Sequence, residues 1–439
     1  MGRGYIVEDA VESYLSQLCD LKSTTITGLL IGQSSAQRDY VVMASRTPPK
    51  DDSTGDCFDR DWVTEHARQV SRMLPGGLSV LGVFTISETD AKDTLITLRQ
   101  LVFSVDNLIS SERLWSPADD DVTDCVTLHI NSKTRKTVCR TFDVKDPKSI
   151  AKPADWKYQS GVCSSWITVS CCLNVNMYLP LPTGKNTAET MEKCIKEELE
   201  IWAQKIENGV FLLDGKKLPE DAELTTGQVN TYVSLVFMPQ LFFIIFFCCA
   251  HCFQCEQRQS DVVQKCGGSV SIRGTIHSRA HVHSNKPKAR HALKRDMICT
   301  VATRVQMLLE ELATSGGNVF SVPLGELLFP RRIFCPMKGR GPICVCDYQF
   351  SDEGPAEATE RLKEMLDIDA EDDDIDMSHE ITPENINTET ADSEVAGELF
   401  SITPVEEKTE DSTPQKSTYI GKILCLFALI VCNAYGYTP

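Results

Sequence analysis

Residues 28–32, Gly-Leu-Leu-Ile-Gly, and residues 81–87, Leu-Gly-Val-Phe-Thr-Ile-Ser, are short apolar runs bounded by glycine or small polar residues. Such runs predict buried strands, and a strand buried on both faces needs a layer of structure on each side. A helix pattern lies between them. Asp59 or Asp61 can cap it, Val63, Ala67, Val70 and Leu74 give its apolar face, and Pro75-Gly76-Gly77 stops it. Strand, helix and strand in this order predict an α/β (α+β) domain of stacked layers.

The flanking sequence continues the alternation. Residues 5–7 and 40–44 read as strands, residues 11–18 as a short helix, and Leu95, Leu98, Leu101, Val102, Val105 and Leu108 as one face of another helix. Residues 126–130 and 137–144 predict a hairpin around a basic turn, and residues 166–178 a long strand. Met191, Ile195, Leu199, Trp202 and Ile206 line a helix that ends at Gly209. Further on, residues 270–282 alternate strictly, with Val270, Ile272, Ile276, Ala280 and Val282 on one side and Ser271, Arg273, Thr275, His277, Arg279 and His281 on the other. That period predicts a strand with one buried and one wet face. Met297, Val301, Val305, Leu308 and Leu312 then predict a helix, and residues 331–350 two short strands.

The formal net charge of −18 is local. Residues 352–411 hold 22 acidic and 3 basic side chains, so the rest of the chain is nearly neutral. Nucleic-acid binding through a basic face therefore has no support. The acidic stretch has few apolar residues to offset its ordering entropy, so residues 351–418 are expected as a disordered linker. As a coil, residues 352–411 would span roughly 40 Å. The 19 cysteines are odd in number and irregularly spaced, no Asn-x-Ser/Thr sequon occurs, and the first 18 residues lack an apolar signal core. Free thiols in a reducing cytosol are expected.

Two apolar runs bear on membranes. Residues 419–437 carry a single charge, Lys422, and as a helix would be roughly 28 Å long, close to one bilayer core. Ile423, Leu424, Leu426, Phe427, Leu429, Ile430 and Val431 would form a C-terminal anchor with the body in the cytosol; a buried core helix is the alternative. Residues 232–250 are also uncharged, but they contain Pro239 and interrupt a region that otherwise reads as folded. They are either a second span or an aberrant insertion.

Candidate site residues are few. His281 and His283 share a strand face and could reach one ion, with Asp296 following, yet they lie on the polar side of their strand, so surface histidines are expected. Cys249, Cys252 and Cys255 have ligand-like spacing that Cys266 or the pair Cys344 and Cys346 could complete. His66 reads as the edge of a core and His129 as a strand residue. Gly76-Gly77 lacks the Lys-Ser/Thr of a phosphate loop. Residues 146–161 combine two prolines with Trp156, Lys157 and Tyr158, which predicts either a rigid loop packing Trp156 on a sheet edge or a partner-binding loop.

The strands at 28–32 and 81–87 resemble the MPN fold of the JAMM metalloproteases, whose second strand ends in two zinc-binding histidines. Thr85 and Ser87 stand at those positions, and two hydroxyls cannot build a zinc site. No catalytic group, metal or cofactor is therefore assigned. The runs at 28–33, 46–49, 69–77 and 146–161 more closely resemble the odorant-response-abnormal protein four family, over roughly residues 1–210 and 265–350. That resemblance implies a non-enzymatic endoplasmic-reticulum membrane adaptor, its body facing the cytosol. It further implies a role in the folding and trafficking of a subset of G-protein-coupled receptors of the odorant-receptor type, and a partnership with the MPN-like region of the cysteine protease that processes the ubiquitin-like modifier Ufm. The expected layout is an inactive MPN-like domain at 1–210, a variable region at 211–264, a smaller α+β region at 265–350, the linker and the anchor at 419–437. The alternatives are a metal- or thiol-dependent hydrolase and a polytopic membrane component.

Overall fold

The computed structural model describes residues 3–21, 25–36, 38–49, 59–115, 122–182, 188–213, 230–236, 266–283, 289–314 and 326–380. These residues form a mixed α+β protein with a large sheet. The N-terminal part contributes β1 (Gly4–Glu8), α1 (Asp9–Cys19), β2 (Thr25–Gln33), β3 (Arg38–Arg46), α2 (Arg60–Arg72), β4 (Ser79–Ser87), α3 (Leu95–Ser111), β5 (Asp124–Asn131) and β6 (Thr137–Asp143), followed by the short strands β7 (Lys152–Pro153) and β8 (Asp155–Gln159). Strand order in the sheet is β7-β6-β5-β4-β2-β3-β1-β8. Because β7 and β8 are separated only by Ala154, one extended segment pairs with β6 at one end of the sheet and with β1 at the other. Ala154 N donates to Cys139 O at 3.2 Å and Asp155 N to Arg3 O at 3.0 Å, so this segment closes the sheet on itself.

The two faces of the sheet follow the period of two. Leu30, Phe84, Ile86 and Leu128 lie on one face with Tyr5, Val7 and the α1 residues Val11, Leu15 and Leu18. Leu29, Ile31 and Val83 lie on the other, under Val63, Ala67 and Val70 of α2 and Leu98, Leu101 and Val105 of α3. Asp59 caps α2 by accepting from Asp61 N and Trp62 N, as its sequence position predicts.

A second sheet follows. It is built from β9 (Trp166–Pro182), β10 (Val210–Leu213), β11 (Asn230–Val236), β12 (Cys266–His283) and β13 (Glu326–Leu328), in the order β10-β11-β9-β12-β13. The helices α4 (Ala188–Asn208) and α5 (Ala289–Thr314) pack on it through Ile195, Leu199 and Ile206 and through Met297, Val301 and Val305. The sequence reading places β9 and α4 in the domain at 1–210. Instead β9 runs antiparallel to β12 from Trp166 opposite His283 to Pro182 opposite Cys266. A strand pairs with the partner its length and faces match, and that partner lies beyond the intervening variable region. Residues 232–236 are part of β11. The rest of the 232–250 run, Cys249, Cys252 and Cys255, and the whole of 419–437 lie outside the described residues. Among the described residues no helix is long and apolar enough to cross a membrane.

The hairpin of β14 (Arg331–Pro336) and β15 (Cys344–Gln349) and the helix α6 (Pro355–Leu366) return to the α2–α3 side of the first sheet. Residues 351–380 are thus folded, which corrects the reading of 351–418 as linker from its first residue. Net charge hid an apolar stripe: Ala358, Leu362 and Leu366 recur at helical spacing and are buried with Ile333, Val345 and Ile375.

Candidate functional site

A cluster of buried polar side chains, His281, Cys344, Asp296 and Arg332 among them, lies where β12, α5 and the β14–β15 hairpin meet. Gly76 ties this region to the first sheet: Gly76 N donates to Arg279 O at 2.9 Å and His281 N to Gly76 O at 2.7 Å. Gly77 has φ +84°, and a Cβ there would lie 2.0 Å from the carbonyl oxygen of His281, so only glycine allows the contact. Gln33, at the end of β2, completes the junction by donating to Gly77 O and accepting from His283 N, both at 3.0 Å.

Asp296 of α5 is buried and accepts five hydrogen bonds. Arg332 supplies two, at 2.8 and 2.9 Å, Gly76 N one at 2.8 Å, Ser278 Oγ one at 2.6 Å and Arg279 N one at 2.9 Å. Burial alone would raise the carboxyl pKa, but the Arg332 charge and these donors outweigh it and hold the group below the usual carboxylate range. Asp296, noted in the sequence for its spacing after the histidines, is therefore the partner of an arginine.

His281 is fully buried and hydrogen-bonded at both ring nitrogens. Nδ1 lies 3.1 Å from Thr168 Oγ1, and Nε2 lies 3.2 Å from Cys344 Sγ. The Cys344 backbone N–H points at Nε2 at 3.3 Å, which makes Nε2 an acceptor and assigns the ring proton to Nδ1. Burial, reinforced by the charge of Arg279, pushes the imidazole pKa down to about 3. The Cys344 thiol is 2% exposed, and burial raises its pKa despite Arg279 beside the sulfur. A cysteine nucleophile works as an accessible thiolate. Here a buried neutral thiol faces a buried neutral imidazole.

The reading of His281 and His283 as surface residues does not hold. His283 is 7% exposed and stacks on Tyr40, with ring centroids 4.1 Å apart. Over its last seven residues β12 is covered by α5 on one face and by the hairpin and His379 on the other, with Gly76 bonded along its edge, so its polar side faces partners instead of solvent. The two rings do not converge. Among the described residues no group of three His, Cys, Asp or Glu side chains is placed to hold a metal ion.

Other candidates separate from this cluster. Thr85 and Ser87 are buried at the end of β4, where Ser87 Oγ contacts Thr89 Oγ1 at 2.7 Å and His129 Nε2 at 3.3 Å. His66 is buried on α2 with Nε2 2.8 Å from Met365 O, fastening the end of α6. Trp156 and Tyr158 are half-buried on β8, the Trp156 ring 6.1 Å from that of Tyr5, while Lys157 between them is exposed. Sequence reasoning missed Arg332, Arg304, Thr168 and Glu380. The available signal was Arg331-Arg332 between apolar residues in so short a strand, since charge inside such a run needs a buried partner.

The fold and these contacts define a class: a closed-sheet α+β protein in which the described pairs Cys344–His281 and Asp296–Arg332 are buried. The ODR4-like family model, "Odorant response abnormal 4-like", matches residues 28–377. The chain belongs to that family. It is 40% identical over 444 residues to a mouse protein called "Protein odr-4 homolog", covering 95% of this chain and 93% of the relative. It is 41% identical to the human protein of the same name, covering 87% of this chain and 86% of that one. Among solved structures, the crystal structure of UfSP from C. elegans is similar at 8% identity with a TM-score of 0.40, over 84% of this chain and 57% of that one.

Proposed function

We propose that this protein is a non-enzymatic adaptor at the endoplasmic-reticulum membrane, its body facing the cytosol, that helps a subset of G-protein-coupled receptors of the odorant-receptor type to fold and reach their destination. The observation that carries the proposal is the membership of residues 28–377 in a family named for the odorant response. Its relatives share the name odr-4 homolog. The neutral, enclosed pair of Cys344 and His281 supports a binding role over chemistry.

Two finer parts belong to the same proposal. The helix-covered sheet, with hydroxyls at Thr85 and Ser87, serves as an MPN-like scaffold without metal ligands and pairs with the MPN-like region of a Ufm-specific cysteine protease; this partnership follows from the family resemblance alone. Residues 419–437 anchor the chain in the membrane. Lys157, exposed between the half-buried Trp156 and Tyr158, marks the partner-facing segment.

The test is fractionation and co-purification from detergent, with the full chain and with a chain ending at 418. The proposal expects the full chain to sediment with membranes and to bring receptors and the protease with it, and the shorter chain to leave the membrane fraction. A shorter chain that sediments as the full one does would remove the anchor from the account.

One observation favours a second reading, a thiol hydrolase: β12 and β15 bring His281 within 3.2 Å of Cys344. Labelling of Cys344 in the native protein by an electrophilic, thiol-directed activity probe would support that reading.

A further inference from the structure

Glu380 is the last described residue, and its side chain points into the molecule, 5% exposed. Its carboxylate meets four donors. Arg304 Nη1 donates to Oε2 at 2.9 Å and Nη2 to Oε1 at 2.7 Å; His277 N donates to Oε1 at 2.5 Å and Arg332 N to Oε2 at 2.8 Å. The donors come from α5, β12 and β14, three elements whose places are set by the second sheet and the hairpin rather than by Glu380. The Arg304 guanidinium lies over the rings of Tyr348 and Phe329, 5.3 and 5.8 Å from their centroids, which orients it before any carboxylate arrives.

The chain that delivers Glu380 is held mostly by half-exposed contacts, among them Asp367 with Arg46 and Tyr14, Asp374 with Lys338, and His379 with Arg279. Between the end of α6 at Leu366 and Glu380 there is one short helical turn, Asp372–Asp374, and only Ile375 is buried on the way. Asp376 bridges to Phe334 through two backbone hydrogen bonds, at 3.0 and 2.7 Å, and His379 stacks on His277 with centroids 4.4 Å apart. Beyond Glu380 the sequence continues into the remainder of the acidic stretch.

We propose that Arg304, with the backbone N–H groups of His277 and Arg332, is a carboxylate-binding site that Glu380 fills from within the chain, making residues 367–380 a releasable strap. The bidentate arginine and two amide donors match one planar carboxylate and leave no acceptor for an amide nitrogen. The strap covers Phe334, His277 and Arg279, so its release uncovers an aromatic and cationic patch.

The experiment uses the full chain in detergent and measures hydrogen exchange of residues 367–380 in wild type, Glu380→Ala and Glu380→Gln, with β4 as internal reference. Removing one partner of a buried charge pair should speed exchange of the strap by about a hundredfold in Glu380→Ala while β4 stays protected. Sodium acetate should restore protection saturably in that variant, and acetamide or sodium chloride at equal concentration should not. Glu380→Gln keeps the volume and should still accelerate exchange of the strap alone. Wild-type exchange in either variant would overturn the proposal, as would restoration by acetamide equal to that by acetate. If Glu380→Ala also exposes β4, Glu380→Gln decides alone: acceleration confined to the strap supports the site, and acceleration spread equally over β4 overturns the strap.

Discussion

His277 and His281 are both held with pKa values of about 3, against an ordinary 6.5. Burial is the first cause for each. For His277 the charges of His379, Arg279 and Arg332 add to it, opposed by Asp296. The folded values are depressed, so on acidification the unfolded chain takes up these protons first. The stability due to the neutral rings is complete above pH 6.5 and drains as pH falls toward 3. Each ring should contribute a slope of up to about 1.4 kcal/mol per pH unit inside that window. Urea midpoints at pH 7, 6 and 5 check this, and His277→Phe should remove one ring's share; a flat profile from 7 to 5 would show that the rings titrate normally. The buried pair Asp296–Arg332 gives a sharper outcome. Arg332→Met should cost ~3–5 kcal/mol, because Asp296 is left buried without its cation, and adding Asp296→Leu should recover part of that loss. Equal stability of the single and double variants, measured by urea unfolding, would contradict the pairing argument. The sequence could not reveal these partners. Periodicity assigns His281 and Asp296 to faces of elements, whereas their contacts with Cys344 and Gly76 cross 63 and 220 residues of chain.

At the scale of elements, the runs at 28–32 and 81–87 became adjacent strands with the faces their pattern requires, because apolar residues on both sides leave a strand no place except between layers. For β12 the period is right, but its last seven residues have no wet face, since the elements that cover them come from elsewhere in the chain. The loop at 146–161 contains the segment that closes the large sheet, which no local pattern announces in two short strands. That geometry separates two roles within three residues. Trp156→Ala should lower stability by about 1–2 kcal/mol, less than full burial would give, because the ring is only half covered. Lys157→Glu should leave the unfolding midpoint unchanged and reduce co-purification of the partner. If Lys157→Glu changes neither, this segment is not the partner-facing one.

At the scale of the whole molecule, the folded body extends past the point where charge alone would end it. A chain cut at 387 keeps α6, Ile375 and Glu380; one cut at 350 loses the buried Ala358, Leu362, Leu366 and Ile375. The longer fragment should unfold at the midpoint of the full chain, and the shorter should be destabilised by at least about 5 kcal/mol, from roughly 1.5–3 kcal/mol for each large apolar side chain lost. Thermal unfolding of the two fragments checks this. The α6 stripe was readable in principle, since Gly354, Pro355 and Glu357 are helix-start residues, but the acidic composition around it concealed it. The central claim, a membrane-bound adaptor that works without chemistry, is met most directly by complementation. Cells lacking the protein would receive the full chain, Cys344→Ser or a chain ending at 418, and surface delivery of an odorant-type receptor would be counted. The account predicts delivery restored by the full chain and by Cys344→Ser but not by the shortened chain; delivery restored by the shortened chain, or lost with a stably folded Cys344→Ser protein, would contradict it.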